Sequence, residues 1–315
     1  MTERKGAFFA KPMNNLAFFI LRERIDISAK MKYNGNMKEK RTKLEKREGI
    51  QATLERYRRF DYDYIPFGDG WEMPDEKYPY KHGFFGTVFS GVLRFLMATL
   101  GTLLLKIAYG MKVEGKKNLK AVKRTKTGVI SVSNHISFLD TLMVRSGVGY
   151  YRSFHTMGPR NNKKGLGGAF MHHAAMWAFS TDLKATRKLV AEMERRLKEG
   201  AIVNFYAEQA MWVNYQKPRP MKDGAFHYAV RFGVPVLPVF FTFRKNKRGH
   251  MRALRIHVLP AVYADETLPR KERVEKMRRQ AEQAWQDCYE KAYGKPLSYL
   301  PSARKRDSVS PDLSE

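Results

Sequence analysis

From Val113 to about residue 293 the chain alternates short apolar, β-branched runs with stretches whose apolar residues recur every three or four positions, and nothing else constrains its fold as strongly. Residues 128–133, Tyr150–Met157, Ala201–Tyr206, Val234–Phe243 and 253–263 read as strands. A helix is expected to begin near Phe138. Another covers 182–199, with Leu183, Leu189, Val190, Met193 and Leu197 as its apolar positions, Thr181 or Asp182 as N-cap and Gly200 as stop. Two more are expected near Gly224–Phe232 and over 270–293, the latter with Val274, Met277, Ala281, Trp285, Cys288 and Ala292 as its apolar positions. Strands alternating with helices predict an α/β domain over 113–300, a mixed, largely parallel sheet flanked by helices. With 43% hydrophobic and 13% aromatic residues the chain can fill such a core.

Four segments flank this domain. Residues 1–60 form a basic extension, with Lys38, Lys40, Arg41, Lys43 and Lys46 in one run and Arg56, Arg58 and Arg59 in another, suited to solvent or to an anionic membrane. Phe8, Phe9 and the Leu16–Leu21 patch are too short for a secretory leader. Residues 61–82, rich in Tyr, Pro, Gly and Asp, read as an ordered aromatic loop. Residues 83–112 are the most apolar stretch; Arg94 interrupts them, and the uncharged runs on either side are too short to span a bilayer alone. A buried core helix and a spanning helix are alternatives. The favoured reading is a helix at a membrane interface, with Arg94 and Lys106 reaching headgroups. The Ser-Asp-Pro tail at 301–315 is expected to be disordered.

The formal charge of +28 calls for an anionic partner or surface: nucleic acid, lipid headgroups or a phosphate-rich substrate. Basic residues are spread along the chain and no nucleic-acid recognition signature is present, so nucleic acid is not expected and a membrane surface is. The single cysteine, Cys288, excludes an intrachain disulfide framework and fits a reducing compartment. His172-His173 has no further ligand at helical spacing, so no metal is expected. Gly165-Leu166-Gly167-Gly168 matches neither a phosphate loop nor a dinucleotide fingerprint and reads as a loop beside a close helix.

Chemistry is expected at the end of the 128–133 strand, where Ser133 and Asn134 lead into His135 and, five positions on, Asp140. A neutral imidazole can take a proton from a hydroxyl, and a carboxylate on its other nitrogen fixes the tautomer and stabilises the imidazolium. On a regular helix five residues turn the side chain by about 140°, so the two meet only if His135 lies in the turn before the helix. A helix-start histidine and a solvated carboxylate are the plainer alternative.

Three blocks stand in order: Asn134–Asp140; Phe205-Tyr206-Ala207-Glu208-Gln209; and Gly233–Val239. Together they resemble the glycerolipid acyltransferase family, which includes the lysophosphatidic acid acyltransferases, over roughly residues 110–260. The resemblance implies transfer of a fatty acyl group from acyl-CoA or acyl-carrier-protein to the hydroxyl of a lysophospholipid (1-acylglycerol-3-phosphate or a related acceptor), at the cytoplasmic face of a membrane. His135 would be the general base and Asp140 its orienter, with direct attack, no acyl-enzyme, no metal and no cofactor beyond the acyl donor. Asn134, Ser137 and Glu208 would contact substrate. The family's middle block carries an arginine that helps hold the acceptor phosphate; here Met211 stands in its place. Arg219 and Lys222, or Arg160 and Lys163, are the cations expected to substitute. The rival is a non-enzymatic basic protein that binds an anionic membrane or RNA.

Overall fold

Among the described residues, seven strands join in one sheet of order β1-β7-β6-β2-β5-β3-β4. The computed structural model describes residues 46–65, 70–124, 127–149 and 152–302. The chain divides into two units, 1–50 and 51–315. Of the first, only 46–50 are described, and they are helical; the Lys38–Lys43 run and most of the 301–315 tail lie outside the described residues. In the second unit the elements are α1 (Phe84–Tyr109), β1 (Lys112–Glu114), α2 (Lys116–Arg124), β2 (Val129–Ser133), α3 (Asp140–Val148), β3 (Ser153–Met157), α4 (Gly165–His173), β4 (Met176–Ala178), α5 (Leu183–Lys198), β5 (Ile202–Tyr206), α6 (Gly224–Phe232), β6 (Val236–Lys245), β7 (Met251–Val258) and α7 (Arg270–Tyr293). Every strand pair is parallel except the β6–β7 hairpin.

This is the mixed, largely parallel α/β sheet that the alternation of runs predicts. Ile130 and Val132 of β2, Val203 and Phe205 of β5 and Phe240 of β6 join one core with Leu189 and Met193 of α5, Phe226 of α6 and Met277 and Trp285 of α7. Side chains alternate along a strand, so Ser131, Ser133 and Asn204 point to the opposite face, the one α3 covers. There Asn204 links the two serines, accepting from Ser131 Oγ at 2.9 Å and donating to Ser133 Oγ at 3.2 Å. Asp182 is the N-cap of α5, accepting from Ala185 N at 2.7 Å.

β1 and β4, of three residues each, are too short to carry a readable period, and α2 is a short basic helix that buries Leu119 and Val122. The glycine-rich stretch at 165–168 is a correction. It opens helix α4 where a loop was expected, and Gly168 is there for close approach: a Cβ would lie 1.7 Å from the Lys163 carbonyl oxygen. His172 and His173 serve packing, the first at 3.0 Å from Asn162 Oδ1 and the second at 2.8 Å from Ser90 Oγ of α1.

The 26-residue α1 is long and apolar enough to cross a membrane. Its polarity runs opposite to that of a helix on a water-soluble surface. From Ser90 to Gly101 the stripe facing the domain is small or polar (Ser90, Arg94, Ala98, Gly101) and only the last turns bury Leu105, Ala108 and Tyr109, whereas Phe85, Val88, Phe89, Val92, Phe95 and Leu100 face outward. Arg94 departs from expectation. It points inward, 9% exposed, with its guanidinium 5.2 Å over the Phe154 ring and Nε donating to Ser90 O at 3.0 Å, so it does not reach from the outer stripe toward headgroups. Lys106 is exposed at the end of the helix.

No helix or strand forms over 72–82, and two of its tyrosines cap the edge strand β4. Tyr80 Oη donates to Ala178 O at 2.9 Å; Tyr78 Oη donates to Met176 O and accepts from Ala178 N, both at 3.1 Å. Tyr80→Phe leaves the buried Ala178 carbonyl without this donor and is expected to cost about 1 kcal/mol in urea denaturation.

Candidate active site

Parallel strands end together at one edge of the sheet, and ligands of open α/β folds bind in the crevice beyond those carboxyl ends. Residues 134–139 form the turn there, between β2 and α3. His135 therefore stands ahead of the helix and Asp140 in its first turn. The turn folds back far enough to bring His135 Nδ1 to 2.7 Å from Asp140 Oδ2. The same oxygen accepts from Ile136 N at 2.7 Å and Ser137 N at 3.0 Å. Asp140 is 1% exposed, and among the described residues its Oδ1 takes no hydrogen bond. Burial pushes its carboxyl above the ordinary range, against the opposing pull of His135 and the two backbone donors. β5 supplies the floor: Tyr206, paired in register with Ser133, stacks on the His135 ring at 4.1 Å between centroids, its Oη 3.1 Å from Thr141 Oγ1.

The turn is fastened from three further directions. Glu208, just past β5, accepts from His135 N at 3.0 Å through Oε2 and from Arg219 N at 2.9 Å through Oε1. Arg219 answers with Nη2 at 2.6 Å from Glu208 Oε2 and 2.6 Å from Ala210 O, and with Nη1 at 2.8 Å from Phe60 O. Trp212 N donates to His135 O at 3.0 Å and Asn214 N to Ile136 O at 2.9 Å. Asn134, wholly buried, brackets the Phe241 backbone of β6, donating to its O at 3.2 Å and accepting from its N at 2.9 Å.

These contacts reassign several residues that the sequence presents as substrate ligands. Asn134 and Glu208 hold backbone. Arg219 is no stand-in for the motif arginine: at 2% exposure, its guanidinium lies against Glu208 and 4.7 Å over the Trp212 ring. Lys222 is at the surface, 2.8 Å from Asp61. Ser137 keeps its place in the turn, its Oγ accepting from Leu139 N at 3.1 Å. Arg160 is exposed on a short 3-10 turn after β3, and Lys163 bridges to Trp71. Met211 is buried. Sequence reasoning missed Tyr206 as a neighbour of His135, although its strand-end position opposite Ser133 was the available signal.

Residues 110–242 match the protein family described as Acyltransferase. This segment is similar to an acyltransferase domain. It spans β1 through most of β6, so the His135–Asp140 pair lies inside it, and the non-enzymatic reading is set aside. A solved structure, the 1-acyl-sn-glycerophosphate (LPA) acyltransferase PlsC from Thermotoga maritima, is similar at 18% identity, covering 63% of this chain and 94% of that one, with a TM-score of 0.39. No curated protein matches.

For acyl transfer the arrangement provides a base whose Nδ1 is committed to Asp140, leaving Nε2 to take a hydroxyl proton. Cys288 is buried on α7, and burial pushes its thiol up to about 12, far from thiolate character at neutral pH. Among the described residues no group of three or more His, Cys, Asp or Glu side chains is placed to hold a metal.

The raised Asp140 value sets a sign. Protonating this carboxyl favours the folded chain, so its contribution is full below the ordinary aspartate range and lost as pH rises through the raised value. Asp140→Asn removes the charge at constant shape. It is expected to raise the urea midpoint at about pH 7, with the gain shrinking toward about pH 4, while acyl transfer falls by about 10²–10⁴-fold.

Proposed function

We propose that this acyltransferase moves a fatty acyl group from an acyl-CoA or acyl-carrier-protein thioester to the hydroxyl of a lysophospholipid at a membrane surface. The observation that carries the reading is the His135–Asp140 pair, 2.7 Å apart at the crevice edge, on a chain that turns an apolar helix face outward. His135 Nε2 takes the proton as the acceptor oxygen attacks the thioester carbonyl. The tetrahedral intermediate then collapses, the C–S bond breaks, and the imidazolium returns the proton to the departing thiolate. A thioester is already activated, so the reaction needs no metal and no further cofactor.

Membrane association follows from α1. Its inner stripe meets the domain along the whole length, from Ser90 against His173, through Thr102 Oγ1 2.8 Å from Ser146 Oγ, to Gly110 O, just past the helix, accepting from Arg255 at 3.2 Å. A helix fastened this way lies flat, its phenylalanines entering the interface, and does not leave the domain to cross a bilayer. Phe138, between His135 and Asp140, is 53% exposed, and in this reading it joins the same contact. The cytoplasmic face is the side on which acyl-CoA is available.

Purified protein mixed with palmitoyl-CoA and lysophospholipid vesicles is expected to release free thiol and form diacyl lipid in equal amounts, and His135→Ala to do neither. Turnover surviving in His135→Ala contradicts the reading. The double variant Phe85→Glu, Phe95→Glu is expected to lower vesicle partitioning by at least about tenfold, read by sedimentation, with the circular dichroism spectrum unchanged.

A further inference from the structure

The His135 ring is held on two sides by different elements. Along its edge, Nδ1 meets Asp140 Oδ2 at 2.7 Å; across its face lies the ring of Tyr206, 4.1 Å away between centroids and 17° from parallel. Tyr206 ends β5, where it pairs in register with Ser133, the last residue of β2. The sheet therefore fixes its place independently of the turn that carries His135. Its hydroxyl sits 3.1 Å from Thr141 Oγ1, beside Asp140 in the first turn of α3. One side chain thus touches both the base and the helix that bears the base's partner. Burial, with the Asp140 charge second, pushes the Tyr206 hydroxyl above its ordinary range, so the stacked ring is a neutral phenol. Among the described residues Asp140 is the only acid paired with the His135 ring. The charge that the ring takes up in the reaction falls on that one carboxylate and on the stacked face, and a cation over an aromatic face is attracted by the ring's quadrupole.

We propose that Tyr206 is a positioning residue for acyl transfer: its ring fixes the plane of the His135 imidazole, holding Nε2 in one direction, and its face stabilises the imidazolium as the acceptor's proton arrives. The inference rests on the acyltransferase reading above and adds a residue to its chemistry. The proton still passes from the acceptor hydroxyl to Nε2 and on to the departing thiolate; Tyr206 gives up no proton and forms no bond. Its attraction to the ring strengthens only while the ring is charged, so it lowers the barrier without tightening substrate binding.

The test measures kcat and KM with palmitoyl-CoA and lysophospholipid vesicles. Tyr206→Phe keeps the stacked face and loses the Thr141 contact, and is expected to hold kcat within about fivefold of wild type. Tyr206→Leu loses the face, and kcat is expected to fall by about tenfold or more with both KM values little changed. A second series separates charge from shape: phenylalanines bearing one, two, three or five ring fluorines at position 206 draw electron density off the face at nearly constant size. Along it kcat is expected to fall stepwise, to about tenfold below Tyr206→Phe at the end, while KM and the circular dichroism spectrum hold. A flat kcat across the fluorinated series, or a fall carried by KM, overturns the stabilising role. Wild-type kcat in Tyr206→Leu overturns the positioning role as well, and both results leave the acyltransferase reading standing. No turnover by wild type on any lysophospholipid overturns that reading and the inference with it.

Discussion

Asp140 Oδ2 accepts three N–H donors at once, from the His135 ring and from the backbones of Ile136 and Ser137. A buried carboxylate is costly, and three donors offset the loss of water only if the chain between donors and acceptor bends tightly enough for all to converge. The turn between β2 and α3 has that shape, and the geometry of the site follows from it. Because His135 sits before the helix, its ring does not follow the helical advance and Nδ1 can meet the carboxylate five residues on. Burial outweighs these donors, and the second carboxylate oxygen has no partner among the described residues, so the carboxyl still lies above its ordinary range.

The turn owes its rigidity to a second buried acid. Glu208 joins the His135 amide to Arg219, a pair whose side chains are each 1% exposed. Removing one member of such a pair strands the other's charge, at a cost of about 3–5 kcal/mol. The arrangement also accounts for the altered middle block. A guanidinium does lie against the motif glutamate, but it arrives eleven residues later, at Arg219, pointing into the protein. Position 211 is thereby free to be an apolar methionine.

What could be read from the chain divides along a physical line. The strands and helices with a clear period, such as 182–199 and 270–293, were legible because burial imposes that period. The His135–Asp140 pair was legible because its spacing and the strand before it leave one way for the residues to meet. β1 and β4 are too short for any period to show, and α4 begins with three glycines in four residues, a composition that argues for a loop. Arg219, Asn134 and Glu208 look like ligands in sequence because polar residues near a site read alike whether they face inward or outward. Only the fold decides that Asn134 clasps the Phe241 backbone and that Arg94 turns away from the outer face of α1.

The exposed stripe of α1 and the exposed ring of Phe138, three residues after His135, are apolar surface outside the core. The chemistry then depends on the state of one ring. Nitrogen-15 NMR of the imidazole of His135, with the ring neutral, tests it most directly. The expected result is a proton on Nδ1, shared with Asp140, and a bare Nε2, with the Nδ1 proton resonance shifted downfield and that shift lost in Asp140→Asn. A proton on Nε2 in the wild-type protein would contradict the account, because His135 could not then receive the acceptor's proton at that atom.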